Sequence, residues 1–236
     1  MKTKIIAIFL VVAAVAAGWA YFRLGIDEPT GPGGSISALE QTPAAPANAV
    51  EEQVRAGTYA VSAADSRVIW EGRKTLIQDY ADRGTLAVKE GVLTLDGAGA
   101  AGRIVFDMTS IKAASTGRQA GEPTLEKHLK SEDFFAVEKF PTAAFELTSA
   151  EPADAADPGR YLLRGNLTMK GLTREIEFPA AVYMRAGTLY AEGTATVDRT
   201  QWDIRFGSDK FFDNLADNVI DDNFTVAFTL VAKSAP

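Results

Sequence analysis

From Gly57 to the C-terminus the chain alternates apolar and polar positions, broken at intervals by Gly, Asp and Pro. Successive side chains of a strand point to opposite faces, so a period of two predicts half-buried antiparallel strands. Near the C-terminus Phe224, Val226, Phe228, Leu230 and Ala232 share one face, opposite Thr225, Ala227, Thr229 and Val231. Leu189, Ala191, Gly193, Ala195 and Val197 form a second such row, and Ile176, Phe178, Ala180, Val182 and Met184 a third. The small residues of the second row leave room on the inward side. Further strands are expected at 58–61, 67–73, 84–89, 92–96, 103–108, 142–149 and 161–168, with turns at Lys89-Glu90-Gly91 and Met169-Lys170-Gly171. A helix is expected at 122–131, where Pro123 suits the first turn and Leu125 and Leu129 share a face; a second is expected at 210–218.

Many strands with one or two short helices predict an all-β fold, a closed antiparallel barrel or a sandwich, because closure removes exposed edges. A barrel of about eight strands either fills with its own side chains or encloses one ligand. Periodicity does not choose between these.

The N-terminal fifth is different. Lys2 and Lys4 precede an unbroken apolar run over residues 5–22 that ends at Arg23, the charge-then-apolar order of an export signal. The run is longer than a signal-peptide core and just reaches bilayer-spanning length, so a cleaved peptide and an uncleaved anchor are both open. The basic residues before it favour a cytoplasmic N-terminus with the body outside, hence a periplasmic domain tethered to the inner membrane by residues 5–22. Residues 27–56 are rich in Pro, Gly, Ala and Ser and read as a flexible linker. The organisation expected is residues 1–26 as signal or anchor, 27–56 as linker and 57–236 as one barrel domain.

Composition narrows the chemistry. The chain of 236 residues carries a net charge of -7, and residues 1–50 are balanced, so the body holds the acidic excess and no nucleic-acid partner is expected. There is no cysteine and one histidine, His128, which removes thiolate nucleophiles, disulfides and nearly all zinc chemistry. Asp209, Asp213, Asp217 and Asp221 recur every four residues but lack the alternating oxygen ligands and glycine of a calcium loop, so they read as a solvated face rather than a metal site. No P-loop, dinucleotide fingerprint or zinc-protease motif occurs. Neither a cofactor nor a catalytic residue is expected, and the chain is read as a non-enzyme.

The segment Leu125-Glu126-Lys127-His128-Leu129-Lys130-Ser131-Glu132-Asp133-Phe134-Phe135, followed by Lys139-Phe140-Pro141 and Phe145, resembles a hallmark of the YceI-like lipid-binding family. Gly165-Asn166-Leu167-Thr168-Met169-Lys170-Gly171-Leu172-Thr173-Arg174 is similar to its second hallmark, and Asp198-Arg199-Thr200 with Trp202, Ile204 and Phe206 to its third. The resemblance runs from about Gly57 to Lys233. It departs from the family pattern at Gln78-Asp79-Tyr80-Ala81-Asp82-Arg83-Gly84, where many members place a histidine before the glycine.

The resemblance implies a lipocalin-like barrel whose interior binds a polyisoprenoid or isoprenoid quinone, or a related amphiphile. His128 would then bond helix to barrel or touch a lipid headgroup. Phe134, Phe135, Phe140 and Phe145 would line the mouth and upper wall or pack as ordinary core, and Trp70, Phe106, Phe178 and Phe228 complete the aromatic candidates. Arg199 and Trp202 would hold a phosphate or quinone oxygen, or lock a strand corner through Asp198. The partners expected are a long isoprenoid lipid and, through residues 5–22, a membrane; pairing of two barrels as a homodimer is left open.

Overall fold

The computed structural model describes residues 52–96, 99–115, 121–153, 159–215 and 218–235. The apolar run at 5–22 and nearly all of the 27–56 linker lie outside them. No helix among the described residues is long and apolar enough to cross a membrane.

Nine strand segments form one antiparallel sheet: β1 (Gly57–Val61), β2 (Arg67–Lys74), β3 (Ala81–Asp96), β4 (Gly99–Ser115), β5 (Thr142–Pro152), β6 (Arg160–Met169), β7 (Leu172–Arg185), β8 (Thr188–Asp198) and β9 (Ile220–Ser234). Each has a hydrogen-bonded neighbour on both sides. Both β1 and β2 pair with β3 on one side and β9 on the other, β1 with the end of β3 and β2 with its beginning. They are therefore two halves of one stave, and the ring has eight positions, closed with no free edge. In the break between them the Ser66 hydroxyl accepts from the Val231 amide at 3.0 Å, and the Ser62 amide donates to the Val231 carbonyl at 2.7 Å. The seam thus keeps Val231 bonded where the strand itself is interrupted.

One helix, α1 (Gly121–Lys130), follows β4 and buries Leu125 and Leu129, the pair expected from its spacing. We call this end of the barrel the helix end; the β2–β3 loop, the β6–β7 hairpin and the long β8–β9 connection lie there too. At the opposite, strap end, Glu52 bridges to Met184, and Val54 packs against the core. Contacts with the barrel thus begin among the described residues at Glu52, five residues before the expected domain boundary at Gly57.

The hairpin Lys170-Gly171 has positive φ at both residues, 51° and 74°, which matches the right-handed strand twist and accounts for the turn expected there. Lys89-Glu90-Gly91 is not a turn. Val88 pairs with Phe106 and Glu90 with Val105, so Lys89 is one extra residue inside a continuous β3. The bulge flips the side-chain phase: Gly84, Leu86 and Val88 point inward before it, Leu93 and Leu95 after it. Over the described part of the second expected helix, residues 210–215 and 218, no α-helix forms. Residues 208–212 make turns on the Ser208 carbonyl after Gly207, at φ 68°, has redirected the chain, and residues 216–217 lie outside the described residues.

A 3-10 turn sits earlier, at Arg199–Trp202. Asp198 caps it, accepting from the Thr200 amide at 3.0 Å and the Thr200 hydroxyl at 2.6 Å. Trp202 is wholly buried and its indole donates to the Leu167 carbonyl at 3.2 Å. Arg199, only 4% exposed, donates to the carbonyls of Ile204, Phe206, Ile220 and Asp221 at 2.9–3.0 Å and lies 3.5 Å from the Asp222 carboxylate. One guanidinium therefore ties the corner to the start of β9. Burial pushes its pKa down, and the carboxylates of Asp222, Asp198 and Asp221 oppose that shift.

Lysine offers one point charge in place of a planar fork, so Arg199→Lys should cost about 3 kcal/mol of stability by urea unfolding. Burial raises the Asp198 pKa, yet the Thr200 bonds and the Lys210 ammonium outweigh it and hold the carboxyl below its ordinary 3.8. A depressed folded-state pKa contributes stability above the ordinary value and loses it as pH falls through the depressed one. Asp198→Asn should therefore melt below the parent at pH 7, and circular dichroism melts in increasingly acid buffer should show the gap closing.

Candidate functional site

The inward rows do not fill the barrel. A cavity of about 580 Å³ runs along its axis, with lining residues from Arg55, Asp96 and Tyr161 at the strap end to Lys74, Tyr80 and Asp221 at the helix end. Between these polar ends the wall is apolar. It takes in all three rows read from the sequence: Phe224, Val226, Phe228 and Leu230 of β9, Leu189, Ala191, Ala195 and Val197 of β8, and Ile176, Phe178 and Val182 of β7. Leu125 and Leu129 of α1 form part of the wall at the helix end.

Glycines decide how the aromatic residues sit. A Cβ on Gly165 would be 2.5 Å from the Phe145 ring, one on Gly193 2.9 Å from Phe228, and one on Gly84 2.6 Å from the Trp70 indole. Each glycine lies on a strand adjacent to its aromatic partner, so the ring occupies the place a side chain would take. Across β5 to β9 the row reads Phe145, Gly165, Phe178, Gly193, Phe228, with ring centroids 5.3 Å apart between Phe145 and Phe178 and 5.5 Å between Phe178 and Phe228. The rings rest against the wall instead of meeting across the lumen, and the hollow survives.

Of the eleven candidates, Trp70, Phe106, Phe134, Phe135, Phe145, Phe178, Arg199 and Phe228 line this cavity. Three do not. Phe140, just before Pro141, turns its ring onto Gly171 of the β6–β7 hairpin. Trp202 is sealed in the core under the 3-10 corner, where Leu167 satisfies its indole. His128 sits on the outer side of α1, with Nε2 3.1 Å from the Asp133 carboxylate and its ring edge-on to Phe134 at 4.9 Å and Phe206 at 4.6 Å. It joins the helix to the β8–β9 connection and stays out of the cavity.

The sequence reading missed the helix-end mouth. There the Tyr80 hydroxyl lies 3.1 Å and 3.2 Å from the two Asp82 carboxylate oxygens, and Asp82 is buried. Asp82 shares the inward phase of Gly84 and Leu86, which was the available signal, but the expected strand began at Gly84. No group of three His, Asp or Glu side chains among the described residues is placed to hold a metal ion.

A family model described as the YceI-like domain matches residues 59–232, all but the first two and the last two residues of the barrel. The chain belongs to the YceI-like domain family. Curated relatives include UPF0312 proteins of Pseudomonas aeruginosa strains LESB58 and PAO1, each 43% identical over 56 residues, which is 23% of this chain and 27% of theirs; the match thus spans about a quarter of those relatives. Among solved structures, Burkholderia cenocepacia BcnA aligns with a TM-score of 0.56 at 20% identity over 73% of this chain and 99% of its own. A polyisoprenoid binding domain from Saccharophagus degradans, implicated in plant cell wall breakdown, aligns with a TM-score of 0.53 at 14% identity over 77% and 100%. At these identities the two structures share the YceI-like barrel fold with this chain.

Gly165→Ala should force Phe145 and the Glu146 carbonyl apart and cost about 2 kcal/mol, as overpacking does. Gly99→Ala, whose Cβ meets nothing within 4 Å, should be silent in the same denaturant titration.

Proposed function

We propose that this chain is an exported lipid-binding protein that holds a polyisoprenoid, or a similar long amphiphile such as an isoprenoid quinone, inside its barrel. The observation that carries the reading is the continuous apolar cavity of about 580 Å³, which falls within the 300–1,000 Å³ typical of ligand sites. A barrel filled by its own residues would leave much less. The lumen is elongated and polar only at its ends, which suits a hydrocarbon chain with one oxygenated terminus. Each methylene transferred from water to such a wall contributes about 0.8 kcal/mol, so chain length supplies the affinity. The polyisoprenoid binding domain of Saccharophagus degradans, which has the same fold, supports this ligand class.

Binding without catalysis is the activity we propose. The single histidine lies outside the cavity against Asp133, and the described lining of the lumen contains no serine, threonine or cysteine. Lys2, Lys4 and the apolar run at 5–22 support export to the periplasm, with that run as the tether.

The full chain, purified and extracted with organic solvent, should release a polyprenyl species on mass spectrometry. Ala195, buried on the cavity wall, gives the sharper test. Ala195→Phe should occupy the lumen and reduce co-purifying lipid about tenfold, with far-ultraviolet circular dichroism unchanged. Equal lipid yield from the folded variant would place the ligand elsewhere and end the proposal.

A further inference from the structure

Five large apolar side chains among the described residues are exposed, and four gather at the helix end: Leu76 in the β2–β3 loop, 60% exposed, and Phe206, Phe211 and Phe212 in the β8–β9 connection, at 41%, 44% and 49%. The two loops are joined, since the Thr75 amide donates to the Val219 carbonyl at 3.2 Å and the Lys74 ammonium to the Asn218 side-chain oxygen at 3.4 Å. Each loop also springs from cavity-lining residues, Lys74 and Tyr80 flanking the first and Ile204 and Ile220 the second. The exposed apolar patch therefore rims the mouth of the cavity.

Apolar patches beside polar residues mark docking surfaces, and phenylalanine on loops partitions into the interfacial region of a bilayer. Charge selects the kind of bilayer. From 199 to 222 the described acids, Asp203, Asp209, Asp213, Asp221 and Asp222, outnumber the three cations, and the whole chain is at -7. An anionic surface would repel this connection; a zwitterionic one would not. Continuity with the lumen favours a bilayer over a protein partner, because a hydrocarbon chain leaving here would enter acyl chains without crossing water.

We propose that the helix end docks on a zwitterionic bilayer through Leu76, Phe211 and Phe212, and that the lumen exchanges its content with the membrane at that contact. The exchange rests on the carrier function proposed above; the docking surface stands on its own geometry.

The chain has no cysteine, so a single introduced thiol reports alone. Leu76→Cys and Phe212→Cys, and Ala101→Cys as an exposed control near the strap end, are each labelled with bimane in the full chain. They are mixed with phosphatidylcholine vesicles whose acyl chains carry nitroxides. Vesicle association itself is not the readout, since residues 5–22 are apolar. The expected result is bimane quenching at 76 and 212 about threefold that at 101, undiminished by salt. Equal quenching at all three sites, or quenching that requires phosphatidylglycerol, would overturn the proposal. So would a concentration-dependent blue shift at 212 without vesicles, which assigns the patch to a second copy. Solvent extracts of the same samples separate the two ideas: lipid present without quenching at 76 and 212 removes the docking surface and leaves the carrier, whereas quenching without lipid removes the carrier and leaves the docking surface.

Discussion

Closure of eight strand positions by backbone hydrogen bonds is the constraint on which the rest depends, because it sets the lumen width before any side chain is chosen. The split stave of β1 and β2 completes that ring, pairing with β3 and β9 along both halves. Eight positions enclose a lumen that large inward residues can fill. Here Ala191, Ala195, Gly193 and Gly165 supply little volume, and the aromatic rings lie over the glycines. The cavity is thus a consequence of pairing geometry and of which residues lie on the inner face. Glycine, which weakens a strand when it has nothing to pack, serves here as the seat for a neighbour's ring.

The helix end carries two demands at once. Its corner must be rigid, since the chain leaves β8, makes a 3-10 turn and returns through a long connection to start β9. Arg199 meets this by spanning four carbonyls, and Asp198 by capping the turn, while Trp202 fills the space beneath. The same end must also leave the lumen a mouth, and Arg199 lines that mouth while doing its structural work. Its donors are engaged by four carbonyls and the Asp222 carboxylate, so the guanidinium braces the rim of the apolar tube from within.

Much of this was legible in the residues, and what was not follows a physical pattern. Strand alternation in β7, β8 and β9 is uninterrupted, and their inward rows emerged whole. Expected strand ends at Lys89, Met108 and Ser149 fall instead at register shifts inside longer strands. At each shift the chain gains residues relative to its partner, so inward positions change parity and a period-two reading stops. At 107–110 the irregularity has its own hydrogen bonds, with Asp107 accepting from Thr109 and the Ser110 hydroxyl accepting from the Ala87 amide. The three family motifs were found, but motif residues serve the fold as well as the site. His128, Phe140 and Trp202 belong to such motifs yet hold the helix, the hairpin and the corner. The residues that shape the lumen most, Gly84, Gly165 and Gly193, carry no side chain and offer periodicity nothing to register beyond a gap.

An open apolar lumen also couples stability to occupancy. Inward residues such as Phe224, Val226 and Phe228 keep some accessible surface although they point into the barrel, because that surface borders the hollow. Atoms bordering a void lack dispersion partners on one side, a loss that a hydrocarbon ligand restores and water in an apolar tube does not. A ligand that binds only the closed barrel stabilises it by mass action. The packing that the seated glycines and the register shifts forgo is therefore packing that a hydrocarbon enclosed in the lumen would supply.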